Sequence, residues 1–233
     1  MKAFILAGGL GSRLQGRFGA LPKPLAPIGG RPFLERQLAW LAGHGVRDAV
    51  LCVGHGADQV RAALGDVCAG VRLAYSIERE PLGTGGALAL ARPFVNGPAL
   101  VVNGDTLAPC VPWAVERARW EQGMLGAVAL YRVPDARSRG RVEIDDTGRV
   151  TRFVEKDDAF RGPAWVNGGV YAFAAWLWTR LPAGPHSLER DVLPTLAAEG
   201  RLTGHRVDGE FFDIGTPEEW ERAERALGAG SGS

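Results

Sequence analysis

The chain has 233 residues, enough for one large α/β domain or two small ones, and we expect one. Its 27 basic and 26 acidic residues give a net charge of +1, so no basic surface for nucleic acid or for an anionic membrane is expected. The three cysteines are far apart and form no C-x-x-C pair, which disfavours a disulfide framework or a zinc site. Small-molecule partners are expected. Without a long apolar run or a leader pattern, the predicted location is cytoplasmic.

Strands and helices are predicted to alternate through the first half of the chain. Short apolar runs predict the strands Lys2–Ala7, Ala49–Val53, Val71–Ile77 and Ala99–Asn103. Helices are predicted at Pro32–Gly43, Gly56–Leu64 and Gly85–Ala91. This order predicts a doubly wound, mostly parallel sheet. Such sheets bind ligands at the carboxyl ends of their strands, which would bring Gly8, Glu78 and Asp105 into one crevice.

The second half predicts an antiparallel extension of that sheet. Its predicted strands are Leu125–Tyr131, Val142–Ile144, Val150–Val154 and Trp165–Phe173. Its predicted helices are Trp113–Gln122, Ser187–Ala198 and Thr216–Leu227, with Ser187 and Thr216 as N-caps. No linker is evident, so residues 1–227 are predicted to form one domain followed by a disordered tail, 228–233.

A glycine-rich loop follows the first strand and reads Gly8-Gly9-Leu10-Gly11-Ser12-Arg13. Glycines allow the backbone N–H groups to turn toward an anion, so a phosphate chain is the expected ligand. The loop is not a dinucleotide fingerprint, because Leu14 stands where the third glycine is needed. It is not a Walker loop either, because it ends in Gly-Ser-Arg rather than Gly-Lys-Ser/Thr.

Two cations are predicted to face the same phosphates. Lys23 lies between two prolines, which hold it on a stiff segment, and Arg13 ends the glycine loop. Only three of the 27 basic residues are lysines, namely Lys2, Lys23 and Lys156, and two of these lie within motifs. A compact ammonium at a phosphate is one role in which arginine does not replace lysine, although codon bias could produce the same scarcity.

Two aspartates are predicted to bind a divalent cation. Asp105 follows the strand Ala99–Asn103, and Asp213 lies between apolar residues just before the last helix. Carboxylates near a phosphate site suit Mg²⁺. The alternative for each residue is an ordinary turn or helix-capping aspartate.

Three further segments are candidate binding sites. The pair Glu155-Lys156 ends a hairpin strand, Asn167-Gly168-Gly169 interrupts an apolar strand, and the polar, glycine-rich loop Glu78–Gly86 could hydrogen-bond a base edge. Their alternatives are a solvated charge pair, a bulge without a ligand and an ordinary βα connection.

The motifs LAGGLGSRL, PKPLAPIGGRPFLE, EPLGTGGAL, VNGDT, FVEK, NGGVYAF and FFDIGTPEEW occur in this order. Together they resemble the sugar-1-phosphate nucleotidyltransferases over nearly the whole chain. Within that family, YSIEREPLGTGGAL, VNGGVYAF and HSLERDVLP are most similar to the bacterial D-glycero-α-D-manno-heptose 1-phosphate guanylyltransferases. The resemblance implies a single-domain, Rossmann-like α/β/α sandwich.

The resemblance also implies a role for each matching residue. Arg13, Lys23 and Lys156 would be catalytic, and Asp105 and Asp213 would bind Mg²⁺. The nucleotide would contact Leu6, Ala7, Gly8, Gly9, Gly11, Ser12, Glu80, Pro81, Gly83, Thr84, Gly85, Asn103 and Gly104. The sugar phosphate would contact Gly140, Glu155, Lys156, Asn167 and Gly168.

The implied reaction joins a nucleoside triphosphate, GTP by this resemblance, to a heptose 1-phosphate. It gives GDP-heptose and pyrophosphate for capsule, S-layer or lipopolysaccharide synthesis. Two related activities remain open: mannose-1-phosphate guanylyltransferase and N-acetylmuramate-1-phosphate uridylyltransferase. A catalytically silent regulator that binds sugar nucleotides is the non-enzyme alternative, and a homodimer is also left open.

Overall fold

A computed structural model describes residues 1–9, 11–108, 110–136, 140–154 and 159–228, apart from the side chains of Ser12 and Gln15. Within these residues the strands are β1 (Lys2–Leu6), β2 (Pro27–Ile28), β3 (Arg31–Pro32), β4 (Asp48–Val53), β5 (Val67–Cys68), β6 (Val71–Ile77), β7 (Ala99–Asn103), β8 (Thr106–Leu107), β9 (Gly126–Val133), β10 (Arg141–Ile144), β11 (Val150–Val154), β12 (Ala164–Phe173), β13 (Leu202–Val207) and β14 (Phe212–Asp213). The α-helices are α1 (Gln15–Phe18), α2 (Phe33–Gly43), α3 (Ala57–Leu64), α4 (Gly83–Leu90), α5 (Pro112–Glu121), α6 (Ala175–Arg180), α7 (Leu193–Ala198) and α8 (Pro217–Leu227).

One sheet connects both halves of the chain. Its strands follow the order β11, β10, β12, β7, β1, β4, β6 and β5, and β9 pairs with both β12 and β13. The neighbours β7, β1, β4 and β6 are parallel, whereas β12 runs antiparallel to β7, β9 and β10. The prediction of a mostly parallel sheet with an antiparallel extension is confirmed.

Helices cover both faces of this sheet. Along β1, Ala3 and Ile5 belong to one hydrophobic core, and Phe4 belongs to the other. The first core includes residues of α2, α3 and α5, and the second includes residues of α4, α6 and α7. Side chains alternate across a strand, so both faces of the central strands are buried and read as continuous apolar runs.

A smaller hydrophobic cluster joins the glycine-loop side of the molecule to its last helix. Its buried members are Leu14, Ala26, Ile28, Phe33, Ile214, Trp220 and Ala223. The Trp220 indole Nε1 donates a hydrogen bond to the carbonyl of Pro27 at 2.9 Å. This third cluster therefore holds α8 against the segment that follows Arg13.

The predicted helix Ser187–Ala198 is divided in the structure. Residues Leu188–Val192 form a π-helix, and only Leu193–Ala198 is α-helical. Pro194 has no N–H, and in an α-helix its ring would crowd the carbonyl of Arg190, so a regular helix is disfavoured there. The predicted cap is confirmed, because Ser187 Oγ accepts a hydrogen bond from the Arg190 N–H at 3.2 Å. Thr216 caps α8 in the same way, accepting from the Glu219 N–H at 3.3 Å.

Among the described elements of six or more residues, α6 and β13 were not predicted from the sequence. The helix α6 has only six residues, too few for a helical period to be clear. Strand β13 contains a glycine and a histidine and lies parallel to β9. Among the described residues, no helix combines the length and apolar character that crossing a membrane requires.

Candidate active site

Three adjoining cavities lie at the carboxyl ends of the central strands, and Asp105 lines all of them. The Glu78 cavity has a volume of about 600 Å³, the Asn167 cavity about 500 Å³ and the Lys23 cavity about 320 Å³. The crevice predicted from strand ends is therefore present. It contains both Gly8 and Glu78 beside Asp105.

The glycine loop forms one wall of the Lys23 cavity. The predicted residues that line this cavity are Leu6, Ala7, Gly9, Gly11, Arg13, Lys23, Gly104 and Asp105. Gly11 has a φ of +60°, and a Cβ atom there would lie 2.7 Å from the Cβ of Lys23. Glycine is thus required both for the turn and for the close approach of Lys23. The side chain of Ser12 lies outside the described part of the chain.

Lys23 forms an ion pair with Asp105, in which Nζ and Oδ2 are 2.5 Å apart. The lysine side chain is only 12% exposed and lies on a short 3-10 turn beside Pro24. Burial acts to raise the pKa of Asp105. The charge of Lys23 and hydrogen bonds from Lys23 and Thr106 outweigh burial and leave this pKa below its usual value. Asp105 is therefore ionised and held in the centre of the site.

The turn that carries Asp105 is fixed by a buried glutamine. Gln37 Nε2 donates to the carbonyls of Asn103 at 2.8 Å and Thr106 at 2.6 Å, and the side chain is fully buried. A buried side chain that satisfies two carbonyls holds the backbone between them. Helix α2 thus supports the carboxyl end of β7 through Gln37.

Asp213 is brought to the same place by a two-residue strand pairing. In β14 it lies opposite Thr106 of β8, and the Ile214 N–H donates to the carbonyl of Asp105 at 2.9 Å. Among the described residues, no group of three or more histidine, cysteine, aspartate or glutamate side chains is placed to hold a metal. Two carboxylates nevertheless fit Mg²⁺, which takes its other ligands from substrate phosphates and water.

The Glu78 cavity contains most of the predicted base loop. Glu80, Pro81, Gly83 and Thr84 line it, and so does Asn103 from the end of β7. Gly85 does not line these three cavities. Its N–H donates instead to the carbonyl of His186 at 3.0 Å, which attaches the start of α4 to the segment before the π-helix.

The Glu78 carboxylate packs against two glycines of neighbouring strand ends. A Cβ atom at Gly54 would lie 2.7 Å from Glu78 Oε1, and a Cβ atom at Gly8 would overlap with the same oxygen. Its Oε2 accepts a hydrogen bond from the Leu82 N–H at 3.1 Å. Burial raises the pKa of Glu78, and this N–H partly offsets the rise. The result is a half-buried acceptor beside the loop.

The Asn167 cavity contains two residues of the predicted sugar site, Gly140 and Asn167. The predicted catalytic residue Arg13 and the predicted metal ligand Asp213 line it as well. Asn167 Nδ2 donates to the Tyr171 hydroxyl at 2.6 Å, while its Oδ1 accepts from the Gly169 N–H at 2.9 Å. Both hydrogen bonds fix the amide orientation. Glu155 and Lys156 lie outside the described residues.

Gly168 packs against Tyr131. It does not line these cavities, whereas the next residue, Gly169, does. A Cβ atom at Gly168 would lie within 2.5 Å of Cδ2 in the ring of Tyr131, which is fully buried. Glycine at this position therefore leaves room for the buried ring of Tyr131.

Further residues line the site without having been predicted to do so. In the Glu78 cavity they are Cys52, Gly54, His55, Ala87 and Glu189. In the Asn167 cavity they are Thr106, Phe153, Ser187, Glu189, Arg190, Phe211, Gly215, Thr216 and Glu219. Glu189 lies inside a segment that was predicted only as a helix, so no local pattern marks it as a site residue.

Comparison with known proteins places these features in a family. The sequence matches the nucleotidyl transferase family over residues 2–229. It is 32% identical over 226 residues to the mannose-1-phosphate guanylyltransferase catalytic subunit beta of Xenopus tropicalis, with 94% of this chain covered but only 62% of that protein. It is 31% identical over 220 residues to the D-glycero-alpha-D-manno-heptose 1-phosphate guanylyltransferase of Campylobacter jejuni, covering 94% of this chain and 97% of that protein.

Solved structures agree with this assignment. The fold matches HddC from Yersinia pseudotuberculosis with a TM-score of 0.85 and 31% identity, covering 97% of this chain and 99% of that one. The same protein complexed with GMP-PN matches with a TM-score of 0.84, 30% identity and the same coverage. Family match, relatives and fold agree over nearly the whole length, and the chain therefore belongs to the nucleotidyl transferase family.

Proposed function

We propose that this protein is a sugar-1-phosphate guanylyltransferase that joins GTP to D-glycero-α-D-manno-heptose 1-phosphate and releases pyrophosphate. One observation carries the proposal: the Glu78, Lys23 and Asn167 cavities meet at Asp105. They can accommodate a nucleoside, a phosphate chain and a sugar around a single ionised carboxylate. An arrangement of this kind brings two anionic substrates together for phosphoryl chemistry.

The reaction needs groups that offset the negative charge of the phosphates, and it needs no covalent enzyme intermediate. An oxygen of the sugar phosphate attacks the α-phosphorus of GTP as pyrophosphate departs. Lys23 and Arg13 line the Lys23 cavity, where they would offset the charge that develops on the pyrophosphate. When bound to Asp105 and Asp213, Mg²⁺ would add Lewis-acid stabilisation of the phosphates. The role of Lys156 at the sugar phosphate remains part of this proposal.

A cysteine nucleophile is not needed, and the site chemistry does not favour one. Cys52 lines the Glu78 cavity, but it is only 2% exposed, and burial raises its pKa to about 12. The thiol is therefore protonated at neutral pH and unreactive.

The Glu78 carboxylate supports guanine as the base. Guanine presents two adjacent donors, N1–H and the 2-amino group, on its pairing edge, and an ionised carboxylate is an acceptor-only group with two oxygens. Uracil and thymine present one imide N–H flanked by two carbonyl oxygens, which a carboxylate would repel. Glu78 lies in the largest of the three cavities, beside the predicted base loop.

Heptose 1-phosphate is proposed as the sugar because the segments YSIEREPLGTGGAL, VNGGVYAF and HSLERDVLP are most similar to those of the heptose 1-phosphate guanylyltransferases. The Campylobacter jejuni relative, whose name gives the heptose substrate, is 31% identical to this chain. Mannose 1-phosphate is the second candidate, supported by 32% identity to the Xenopus tropicalis protein.

The test is an activity matrix. The protein is incubated with Mg²⁺, each of the four common nucleoside triphosphates and a panel of sugar 1-phosphates that includes heptose, mannose and N-acetylmuramate. Pyrophosphate release is then measured, with Asp105→Asn as the matched inactive control. GTP with heptose 1-phosphate should give the highest kcat/KM. A higher kcat/KM with mannose 1-phosphate would show that mannose, not heptose, is the sugar substrate. A preference for UTP would overturn the guanylyl assignment. No pyrophosphate release with any pair would favour a binding protein.

A further inference from the structure

Glu189 lies where the Glu78 cavity and the Asn167 cavity adjoin, and it lines both of them. It is part of the π-helix Leu188–Val192, a rare form of helix that often occurs at functional sites. Among the described residues, Asn103, Asp105 and Glu189 are shared by the linings of these two cavities. A ligand extending from one cavity into the other would pass this carboxylate.

The carboxylate is fixed by two hydroxyl groups. Thr84 Oγ1 donates to Glu189 Oε2 at 2.6 Å, and Ser187 Oγ donates to the same oxygen at 3.1 Å. Thr84 is itself held, because its Oγ1 accepts a hydrogen bond from the Leu188 N–H at 2.8 Å. In the described part of the chain, both hydrogen bonds go to Oε2, which leaves the acceptor capacity of Oε1 for a ligand.

The charge of Glu189 is not paired with a cation in the described part of the chain. No lysine or arginine among the described residues forms an ion pair with it, although Arg190 follows it in the chain. Keeping a half-buried carboxylate without a counter-ion costs free energy unless hydrogen-bond donors surround it. The two protein hydroxyls satisfy one oxygen, so further donors are expected from whatever fills the cavities.

We propose that Glu189 binds sugar hydroxyls, accepting a hydrogen bond from the diol of a bound substrate at the junction of the two cavities. This inference rests on the proposed function. An acceptor-only anion repels phosphate but pairs with hydroxyl groups, which suits a position between polyol and phosphate groups. The diol belongs either to the ribose of the nucleotide or to the ring of the sugar 1-phosphate, and the two sources can be separated experimentally.

The experiment compares wild type with Glu189→Gln, which keeps the size but replaces one acceptor by an amide donor. Kinetic constants are measured for GTP, 2′-deoxy-GTP, 3′-deoxy-GTP and the best sugar 1-phosphate. We expect kcat/KM to fall about ten- to a hundredfold, the range for a hydrogen bond to a charged group. If the ribose is bound, one deoxy analogue is a poorer substrate for wild type but not for the variant. If the sugar ring is bound, KM for the sugar 1-phosphate rises and KM for GTP does not.

Two controls separate this role from a structural one. Glu199→Gln makes the same chemical change in an exposed ion pair with Arg180, outside the site, and should leave the kinetics unchanged. Thermal unfolding of both variants shows whether each is folded. Kinetic constants within twofold of wild type for both substrates in folded Glu189→Gln would overturn the inference.

Failure of the proposed function gives a different result from failure of the Glu189 inference. If wild type releases no pyrophosphate with any pair, the guanylyltransferase proposal fails. Equilibrium affinities of wild type and Glu189→Gln for GTP and each sugar 1-phosphate, measured by calorimetry, then decide the role of Glu189. A weaker affinity of the variant for one ligand supports it, and equal affinities reject it.

Discussion

Lys23 and Asp105 form the ion pair on which the proposed site chemistry depends. In this structure the ammonium and the carboxylate are 2.5 Å apart and satisfy each other. Phosphates would compete for Lys23, and a divalent cation would compete for Asp105. Under the proposed function, substrate binding would therefore exchange one ion pair for several, and neither charge would be left uncompensated before or after the exchange.

Removal of the Lys23 charge should slow turnover without unfolding the protein. We expect Lys23→Ala to reduce kcat about a hundredfold, corresponding to about 3 kcal/mol of lost transition-state stabilisation. Lys2→Ala is the matched control, because Lys2 Nζ donates to the Phe94 carbonyl at 2.7 Å, at the opposite end of β1. Steady-state kinetics of the two variants make the comparison, and near wild-type kcat in Lys23→Ala would contradict the assignment.

Glu78 should make GTP binding sensitive to pH. Burial raises its pKa above the ordinary 4.5, so the carboxylate is lost at a higher pH than that of a free glutamate. Guanine affinity is complete above this raised pKa and decreases as the pH falls through it. Calorimetric titrations with GTP over a falling pH series should show the decrease in wild type. With Glu78→Gln, the triphosphate of GTP still titrates, but the additional decrease caused by Glu78 should be missing. Identical pH profiles of GTP affinity for wild type and variant would reject the role of Glu78.

Gly168 is predicted to matter for stability and not for sugar binding. A Cβ atom there would lie within 2.5 Å of Tyr131 Cδ2 and 3.0 Å from the Ala129 carbonyl. Such overpacking costs about 1–3 kcal/mol. Gly43→Ala, at a helical position with open space around the Cβ, should be nearly neutral. Urea unfolding compares the stabilities of the two variants. Normal stability together with weakened sugar binding in Gly168→Ala would instead favour a role of Gly168 in contacting the sugar phosphate.

At the scale of elements, α8 connects the two sides of the proposed phosphate site. Its Trp220 packs on Phe18 with ring centroids 5.2 Å apart, and the Arg17 guanidinium lies 4.3 Å above the indole. Ile214, beside Asp213, belongs to the same third cluster. The helix therefore supports the Asp213 turn and the segment following Arg13 at the same time, and its Glu219 lines the Asn167 cavity.

Truncation of Trp220 should consequently destabilise the fold. The side chain is 8% exposed, and Trp220→Ala is expected to cost about 3–5 kcal/mol in the free energy of unfolding. Trp120→Ala is the control, since that indole is 72% exposed and its loss should change stability by less than about 0.5 kcal/mol. Denaturant unfolding measures both changes. Equal stabilities would show that the third cluster contributes little.

At the scale of the whole molecule, the sequence predicts some parts of the fold much better than others. Strand β7 is an almost continuous apolar run and β6 is mostly apolar, and the predicted bounds of both strands are confirmed. Strand β13 has no such run. Its position is set by pairing with β9, which a local sequence pattern does not reveal.

The same distinction applies to the candidate site. The phosphate loop is contiguous in sequence and could be identified there. Glu189, by contrast, meets Thr84 across 105 residues, which no local spacing reveals. Choosing between Gly168 and Gly169 requires the register of β12, which shifts between Asn167 and Tyr171.

The three cysteines offer a test of the packing of the whole molecule. Cys52 and Cys110 are 2% and 5% exposed, and burial raises their pKa values to about 12 and about 11, whereas Cys68 is half-buried on the short edge strand β5. Thiolate formation and access both limit modification. Under native conditions a disulfide reagent should therefore label Cys68 first, and Cys52 and Cys110 should react only as fast as the protein unfolds. Mass spectrometry of labelled peptides identifies each site, and Cys68→Ser should remove the fast phase. Simultaneous labelling of all three thiols in the native protein would show that the two cores flanking the sheet are not packed as described.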